Sequence, residues 1–465
     1  MKKLKKVCTY SLVILAGLHL IAVSLSINIS ALTALLGLFI LLTSIPVMNK
    51  SFRLPTVVFF LLGGILLIYD HQNTSAWIHG INTLLRLASI VTVMQLFRIP
   101  IKLGDYREAL EYLLLYKTKS KDSLFLFVTL LSHVFGSFLL FGTIPVLYNL
   151  LGDSLRKVVK NYERFITTSF TRGFPLISCW APGAVNILLV HQATGVQWID
   201  IVVPGFVLSS LGIITSVLLE RKTQSLAEND ICSQGHSGED SVYKIDEKGA
   251  FRRLYHILVV TAFLLLLTIS MDWLNWLDST DRVLVAGGLV VAAWISFYLN
   301  KSGFKEEVHN YLESGLSVAI DIAGLFIAMG IFAEGLSASP FMGQLSALLA
   351  GFSQEVPTAA MIITIPAVIV VLALLGIHPF ISLVIIGKTL TDSLIPLNTS
   401  TLAFCLILGG AVSYMVSPFG GIVLTLSNYL KRTPFEIAIK WNGLFAGIFF
   451  IEGILIILFL NAVIF

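Results

Sequence analysis

Positions 414–421 read YMVSPFGG and place one proline and two glycines inside the apolar stretch 402–430. Proline removes a helical hydrogen bond and glycine weakens a helix, so a helix that starts near 402 is predicted to break here. Positions 178–183 read SCWAPG and interrupt the apolar stretch 165–191 in the same way. The sequence therefore predicts two interrupted helices, one in each half of the chain.

The composition around these breaks is that of a membrane protein. Hydrophobic residues make up 56% and charged residues 12% of the 465 positions, whereas about a quarter of a soluble domain is charged. Apolar runs recur near the ~20 residues that a helix needs to cross a ~30 Å hydrocarbon core, at 7–27, 29–48, 54–69, 254–270 and 437–460. These runs predict an all-α polytopic membrane protein that crosses the bilayer about ten times.

The basic residues orient the chain, because short loops rich in Lys and Arg stay on the cytoplasmic side. With the N-terminus in the cytoplasm, 27 of the 31 Lys and Arg fall in cytoplasmic segments, provided that residues 122–150 enter and leave from that side. The prediction is a multi-pass protein of the cell (inner) membrane with its C-terminus outside. Residues 122–150 then form a re-entrant hairpin or a short pair of full-span helices, with Ser137, Gly142 and Thr143 near the bend.

A second hairpin is predicted at 358–397, with its bend at Gly376–Pro379. The number of membrane crossings before it places its entry on the opposite face of the membrane from that of the first hairpin. Each hairpin precedes an interrupted helix and a closing helix, and this order predicts two inverted repeats. A shift of 236 positions along the sequence superposes Gly173 on Gly409 and Pro182 on Pro418. The predicted domains are scaffold helices and a linker at 1–121, the first repeat at 122–219, a flexible cytoplasmic loop at 220–253, scaffold and connecting helices at 254–356, and the second repeat at 357–465.

This order of hairpin, broken helix and closing helix, present twice and inverted, resembles the ion-transporter superfamily of two-hairpin secondary carriers. That superfamily includes divalent-anion/sodium symporters and arsenite-permease-like carriers, and the resemblance covers 122–465. It implies scaffold helices that are often dimeric and two-hairpin units that move as an elevator. Divalent-anion members carry Ser-Asn-Thr at each hairpin tip, whereas this chain has only Asn398-Thr399-Ser400 nearby, so the resemblance does not name a dicarboxylate.

Candidate binding residues lie at the bends and breaks, where half-helix ends offer unpaired backbone groups. They are Ser137, Thr143, Ser178, Pro182, Asn186, His378, Asn398, Ser417 and Pro418. Serine and asparagine also cap broken helices for structural reasons. A lone histidine, such as His133 or His378, is either a proton acceptor or a side chain hydrogen-bonded to its neighbours.

Ionisable residues inside membrane segments cost about 2.5–3.5 kcal/mol each and normally face a cavity or a partner. Arg172 and Lys388 are predicted to supply the positive field that an anionic substrate needs. The alternatives are an interfacial position for Arg172 and an ion pair between Lys388 and Asp392, which lie four residues apart on one helix face. Asp321 is the candidate coupling carboxylate, because a carboxylate at membrane depth can bind Na⁺ or carry a proton.

The sequence therefore predicts a secondary active transporter, a permease that couples the movement of a small anionic solute to Na⁺ or H⁺ by symport. The expected partners are a small-molecule substrate, the lipid bilayer and, by the resemblance, a second copy of the chain, with no nucleic acid, no cofactor and no metal beyond Na⁺. The GxxxxGK[ST], HExxH and GxSxG motifs are absent, so an enzyme is not expected. Three alternatives stay open: a nucleoside-type two-hairpin carrier, a membrane-embedded lipid-handling enzyme, and a non-transporting structural membrane protein.

Overall fold

The computed structural model describes residues 2–104, 106–118, 120–224, 247–340, 343–344, 347, 356–392 and 396–463. These residues form helices, turns and short connections and contain no β-strand. Ten helical stretches among them are long and apolar enough to cross a membrane. The predicted all-α polytopic membrane fold is therefore confirmed, whereas Cys232 and most of the predicted cytoplasmic loop at 220–253 lie outside the described residues.

The described residues form four consecutive groups of helices. The first group is α1 (Lys2–Leu25), α2 (Ser30–Ser44), α3 (Lys50–Tyr69), α4 (Thr74–Thr83), α5 (Leu85–Met94), α6 (Arg98–Leu103) and α7 (Tyr106–Tyr116). The second group, called unit 1, is α8 (Lys121–Leu139), α9 (Thr143–Val158), α10 (Tyr162–Gly173), α11 (Val185–Thr194) and α12 (Trp198–Gln224). The third group is α13 (Glu247–Trp273), α14 (Ser279–Ser296), α15 (Phe304–Asn310) and α16 (Ser317–Ala338). The fourth, called unit 2, is α17 (Thr358–Leu374), α18 (Pro379–Asp392), α19 (Thr399–Val416), α20 (Gly421–Leu430) and α21 (Gly443–Val463).

The first and third groups pack together around α16, and we call them the scaffold. Helix α16 runs against α3 and α4 at glycine contacts. A Cβ at Gly63 would lie 2.6 Å from the backbone of Phe332, and a Cβ at Gly330 would lie 2.3 Å from the carbonyl oxygen of Gly80. Small residues at these positions let membrane helices approach closely, so dispersion contacts hold the scaffold together.

The two units repeat in the same register. The pairs α8 and α17, α9 and α18, α10 and α19, and α11 and α20 begin 237, 236, 237 and 236 residues apart. The second arm of each hairpin packs against the second half of the other unit's broken helix, α9 on α20 and α18 on α11. Reciprocal contacts of this kind are typical of two repeats related by a pseudo-two-fold axis. The exact domain limits stay a prediction.

Both hairpins turn where the sequence places small or rigid residues. The first turn covers Leu140–Gly142, and Leu140 has a φ of 50°. The second turn lies between α17 and α18, where Gly376 has a φ of 95° that an L-residue rarely adopts. The four arms have 19, 16, 17 and 14 residues, so the second arm of each hairpin is shorter than the about 17–25 residues of a spanning helix.

Each unit keeps a glycine where its broken helix meets the first arm of its hairpin. A Cβ at Gly173 would lie 2.4 Å from the carbonyl oxygen of Thr129 in α8. A Cβ at Gly409 would lie 3.0 Å from Cα of Pro366 in α17. The superposition of these glycines in the sequence therefore corresponds to equivalent contacts, and both leave little or no room for a side chain.

Candidate functional site

A cavity of about 410 Å³ lies where the two units meet the scaffold. Its walls come from the start of α3, from α16, from both hairpin turns and from the second break. The lining residues are Asn49, Lys50, Phe52, Phe141, Ile144, Val318, Asp321, Ile322, His378, Phe380, Tyr414, Gly420, Gly421, Ile422, Leu424, Thr425 and Asn428. A mostly apolar lining with a few polar groups, at this volume, is typical of small-molecule sites.

The first break borders a second, much smaller space of about 10 Å³. It is lined by Leu140, Phe141, Phe174, Ile177, Ser178, Ala184, Val185, Asn186 and Tyr414. That volume is at the lower limit for a single water molecule. Phe141 and Tyr414 line both spaces and therefore separate them, so the second break opens into the large cavity while the first break is covered.

The exposed end of the second break is the N-terminus of α20. The first N–H groups of a helix lack acceptors within the helix and carry partial positive charge. Gly420, Gly421 and Ile422 line the cavity, and the Cβ side of Gly421 faces open space. These N–H groups give the wall formed by α20 the character of an anion site, and Lys50 adds a positive charge from the scaffold.

Asp321 reaches the cavity from the scaffold helix α16. Its Oδ1 accepts the backbone N–H of Asn49 at 3.0 Å, and its Oδ2 accepts the Asn49 side-chain amide at 2.5 Å. These two bonds fix the orientation of a carboxylate that is 3% exposed. Among the described lining residues it is the only carboxylate, and Lys50, the neighbour of Asn49, is the only lysine or arginine, so the scaffold contributes both charges to the cavity.

The two histidines of the hairpins differ in environment. His378 lines the cavity, with its ring 5.4 Å from Phe52 and 4.5 Å from Phe380 between centroids. His133 lies outside the cavity: its Nδ1 is 3.0 Å from the carbonyl oxygen of Gly173, and its Nε2 accepts the indole N–H of Trp180 at 3.0 Å. Both ring nitrogens of His133 are therefore engaged, which favours a structural role over proton transfer.

Ser137 and Thr143 flank the first turn but do not line the cavity. The Ser137 hydroxyl donates to the carbonyl oxygen of Val134 at 2.7 Å, and the Thr143 hydroxyl is buried without a hydrogen-bond partner among the described residues. Phe141 and Ile144 reach the cavity instead. The turn at Leu140–Gly142 lies between Ser137 and Thr143, and apolar side chains there form the wall of the cavity.

The polar residues of the breaks join elements to each other. The Asn186 amide donates to the carbonyl oxygens of Ser178 and Ile407, at 3.1 and 3.2 Å, and so links the two broken helices. The Ser417 hydroxyl donates to the carbonyl oxygen of Ala373 in α17 at 2.9 Å. Ser178 and Asn186 border the small space, whereas Ser417, Pro182 and Pro418 line neither space.

Arg172 lies in a buried network away from the cavity. Its Nη1 is 3.3 Å from Glu220 Oε2, and its side chain is 1% exposed. Its Nη2–H donates to the carbonyl oxygen of Trp441 at 2.9 Å and its Nε–H to Asn442 Oδ1 at 3.3 Å. Arg172 thus pairs with Glu220 inside the protein and ties α10 to α12 and to the residues just before α21.

Lys388 and Asn398 also lie outside the cavity. Lys388 is half-buried, and no ion pair joins it to Asp392, although the structure describes both residues. Asn398 is exposed, and its Oδ1 accepts the N–H of Ser400 at 2.8 Å. Asn398 is therefore the N-cap of α19 and not part of a hairpin tip.

Several cavity residues were not among the sequence candidates. Phe141 and Phe380 flank the two turns and Tyr414 begins the second break, so the position of the turns and breaks was the available signal. Lys50 and Asn428 carry no local signal, because they reach the cavity only through the packing of α3 and α20 against the rest of the protein.

Comparison with known proteins finds similarity in structure but none in sequence. No protein-family model matches the chain, and no curated protein matches it by sequence. Among solved structures it is similar to the crystal structure of the Alcanivorax borkumensis YdaH transporter, described as having an unusual topology. The TM-score is 0.56 and the identity 11%, over 88% of this chain and 98% of the other. At this identity the likeness shows the fold alone.

Proposed function

We propose that the protein is a secondary active transporter of a small anionic solute, coupled to Na⁺ or H⁺. One observation carries this proposal: the cavity lies where both hairpin turns, the N-terminus of a half-helix and the scaffold meet. Binding sites at discontinuous helices between inverted repeats are the rule in secondary transporters. The fold shared with a solved transporter supports the same conclusion.

The charge distribution of the cavity supports an anionic solute. Lys50 and the N–H groups at the start of α20 attract a negative group. Phe52, Phe141 and Phe380 bury the uncharged part of the solute. Asp321 repels a second carboxylate, which disfavours dicarboxylates, and it is the residue that we propose to bind the coupling Na⁺ or proton.

An elevator movement of the two units against the scaffold is part of the proposal. Hydrogen bonds and ring contacts join the hairpin turns to the scaffold. The Gln95 amide donates to the carbonyl oxygen of Leu139 at 3.4 Å, and Phe97 contacts Phe138. At the second turn, Phe52 contacts His378 and Phe326 contacts Phe380. Such contacts are readily broken and remade. Lys50 lies on the side that the basic residues mark as cytoplasmic, so the described state corresponds to an inward-open transporter.

The experiment is a thermal-shift screen of the detergent-purified protein against carboxylates, oxyanions and nucleosides, with and without Na⁺ and at two pH values. A ligand that binds only the folded state stabilises it by about 2.7 kcal/mol at a hundredfold excess over Kd. Nucleosides in the panel test the alternative carrier. Solutes that raise the melting temperature are then tested for gradient-driven uptake into proteoliposomes.

A matched pair of variants links the result to the cavity. Lys50→Gln is expected to weaken the binding of the anion, whereas Lys388→Gln removes an equal charge outside the cavity and is expected to have no effect. If no solute in the panel raises the melting temperature, or if the solutes that raise it are not taken up, the transporter proposal loses its support. Equal loss in both variants would argue against the cavity as the site.

A further inference from the structure

One face of α13 carries an exposed stripe of side chains that is basic at its start and apolar further along. Spacings of three and four residues place its members on the same helix face. The members, which we call the α13 stripe, are Lys248, Arg252, Tyr255, Val259, Phe263 and Leu266. All of them are exposed, from Lys248 and Arg252 at the start to Leu266, which is 63% exposed. The stripe therefore begins with two cations and continues as apolar surface.

The two cations have no partner within the described protein. Neither Lys248 nor Arg252 forms an ion pair with any residue that the structure describes. The neighbouring carboxylate, Glu247, is engaged by Lys117 at 2.6 Å. A shallow surface pocket of about 740 Å³ lies along this end of the helix, lined by Glu247, Lys248, Phe251, Arg252 and Tyr255. This end of the helix thus presents uncompensated positive charge beside two exposed aromatic rings.

The order along the stripe matches the order of groups in a phospholipid. The apolar part of α13 begins at Leu254, so Lys248 and Arg252 lie within two turns of the hydrocarbon, at the depth of lipid phosphates. Tyr255 is of the residue type that prefers the membrane interface. Val259, Phe263 and Leu266 continue into the apolar layer, where an acyl chain can lie against them.

We propose that the α13 stripe binds one anionic phospholipid. Lys248 and Arg252 hold the headgroup phosphate, Tyr255 contacts the glycerol region, and the apolar residues accompany one acyl chain. The two cations favour a ligand with a negative charge. The apolar residues that follow them favour a lipid with an acyl chain over a soluble phosphate. This site is separate from the cavity and does not depend on the transport proposal.

The test compares lipids on delipidated protein in detergent, with melting temperature and native mass spectrometry as readouts. Phosphatidylglycerol is titrated against phosphatidylcholine of the same acyl chains, and soluble glycerol phosphate serves as the headgroup alone. The variant is Lys248→Gln/Arg252→Gln. Its control is Lys157→Gln/Lys305→Gln, which removes two exposed cations that are not followed by an apolar stripe.

We expect phosphatidylglycerol to bind more tightly than phosphatidylcholine and the stripe variant to weaken that binding by about 30-fold, with the control unchanged. Equal losses in the two variants would overturn the proposal in favour of general charge attraction. Stabilisation by glycerol phosphate equal to that by the lipid would overturn the role of the acyl chain. A lower melting temperature of the stripe variant without any lipid would show that the protein itself holds the two cations.

Discussion

Glu220 forms ion pairs with two guanidinium groups inside unit 1. Its oxygens are 2.8 and 3.0 Å from Arg164, and Oε2 is also 3.3 Å from Arg172. Glu220 is 2% exposed, and a buried charge without a partner costs several kcal/mol. The two ends of this network are therefore unequal: loss of Arg172 leaves Glu220 paired with Arg164, whereas loss of Glu220 leaves two cations side by side.

We expect Glu220→Gln to lower the free energy of unfolding by about 3–5 kcal/mol, because it leaves uncompensated buried charge. Arg172→Gln is expected to cost about 1–3 kcal/mol, because it removes hydrogen bonds but preserves the pair of Arg164 and Glu220. The melting temperatures of the two detergent-purified variants provide the comparison. A lower melting temperature for Arg172→Gln than for Glu220→Gln would contradict this account.

Phe141 is the residue that keeps the covered break apart from the cavity. Phe141→Ala is expected to join the small space at Ser178 to the cavity, because it removes a ring that lines both. In a cysteine-free background, a cysteine at position 178 should then react faster with a soluble thiol reagent. Phe125→Ala, at a buried ring of α8 that lines neither space, is the control, and an equal rise in both backgrounds would indicate general loosening.

At the scale of elements, adjacent glycines of α3 have different surroundings. A Cβ at Gly63 would lie 2.6 Å from the backbone of Phe332 in α16, where no flexible side chain can move aside. A Cβ at Gly64 would meet only the end of the Trp77 ring, at 3.5 Å. The distance between α3 and α16 is thus set by the absence of a side chain at Gly63.

Gly63→Ala is expected to lower the free energy of unfolding by about 1–3 kcal/mol, because the extra carbon pushes α16 away from α3. Gly64→Ala is the matched control, since it gains up to about 1 kcal/mol of helix propensity without a clash. The melting temperatures should therefore shift in opposite directions. A stable Gly63→Ala variant would mean that α16 can shift without cost.

At the scale of the whole molecule, the proposed movement separates the units from the scaffold. The contact of Phe52 in α3 with His378 at the second turn crosses that boundary. A Cβ at Gly64 in α3 would lie 3.5 Å from the Trp77 ring in α4, and this pair stays within the scaffold. These two pairs therefore distinguish movement between the parts from movement inside one of them.

Cross-linking Phe52→Cys to His378→Cys with a short bifunctional thiol reagent, in a cysteine-free background, is expected to reduce uptake to background. Cleavage of the linker should restore uptake, because the bond only holds the second turn on the scaffold. The Gly64→Cys/Trp77→Cys pair, treated in the same way, should retain uptake. Full uptake with the first pair completely cross-linked would rule out an elevator movement of unit 2.

Features of the fold that depend on local chemistry could be predicted from the residues. Proline and glycine restrict or free the backbone wherever they stand, so YMVSPFGG and SCWAPG mark breaks, and Gly376 marks a turn. The length of an apolar run must match the bilayer, which fixes the class of fold. The 236-residue repeat follows from the same local signals occurring in the same order.

The pairing of charges and the lining of the cavity came only from the tertiary structure. Arg86 finds Asp281 at 2.9 Å, 195 residues away in the chain, and the Thr215 hydroxyl donates to Glu452. Local signals cannot show such pairs, because a charged side chain is buried or exposed only once distant helices have packed. For the same reason the sequence does not show that Arg172, next to the first break, pairs with the buried Glu220. Nor does it show that Lys50 lines the cavity.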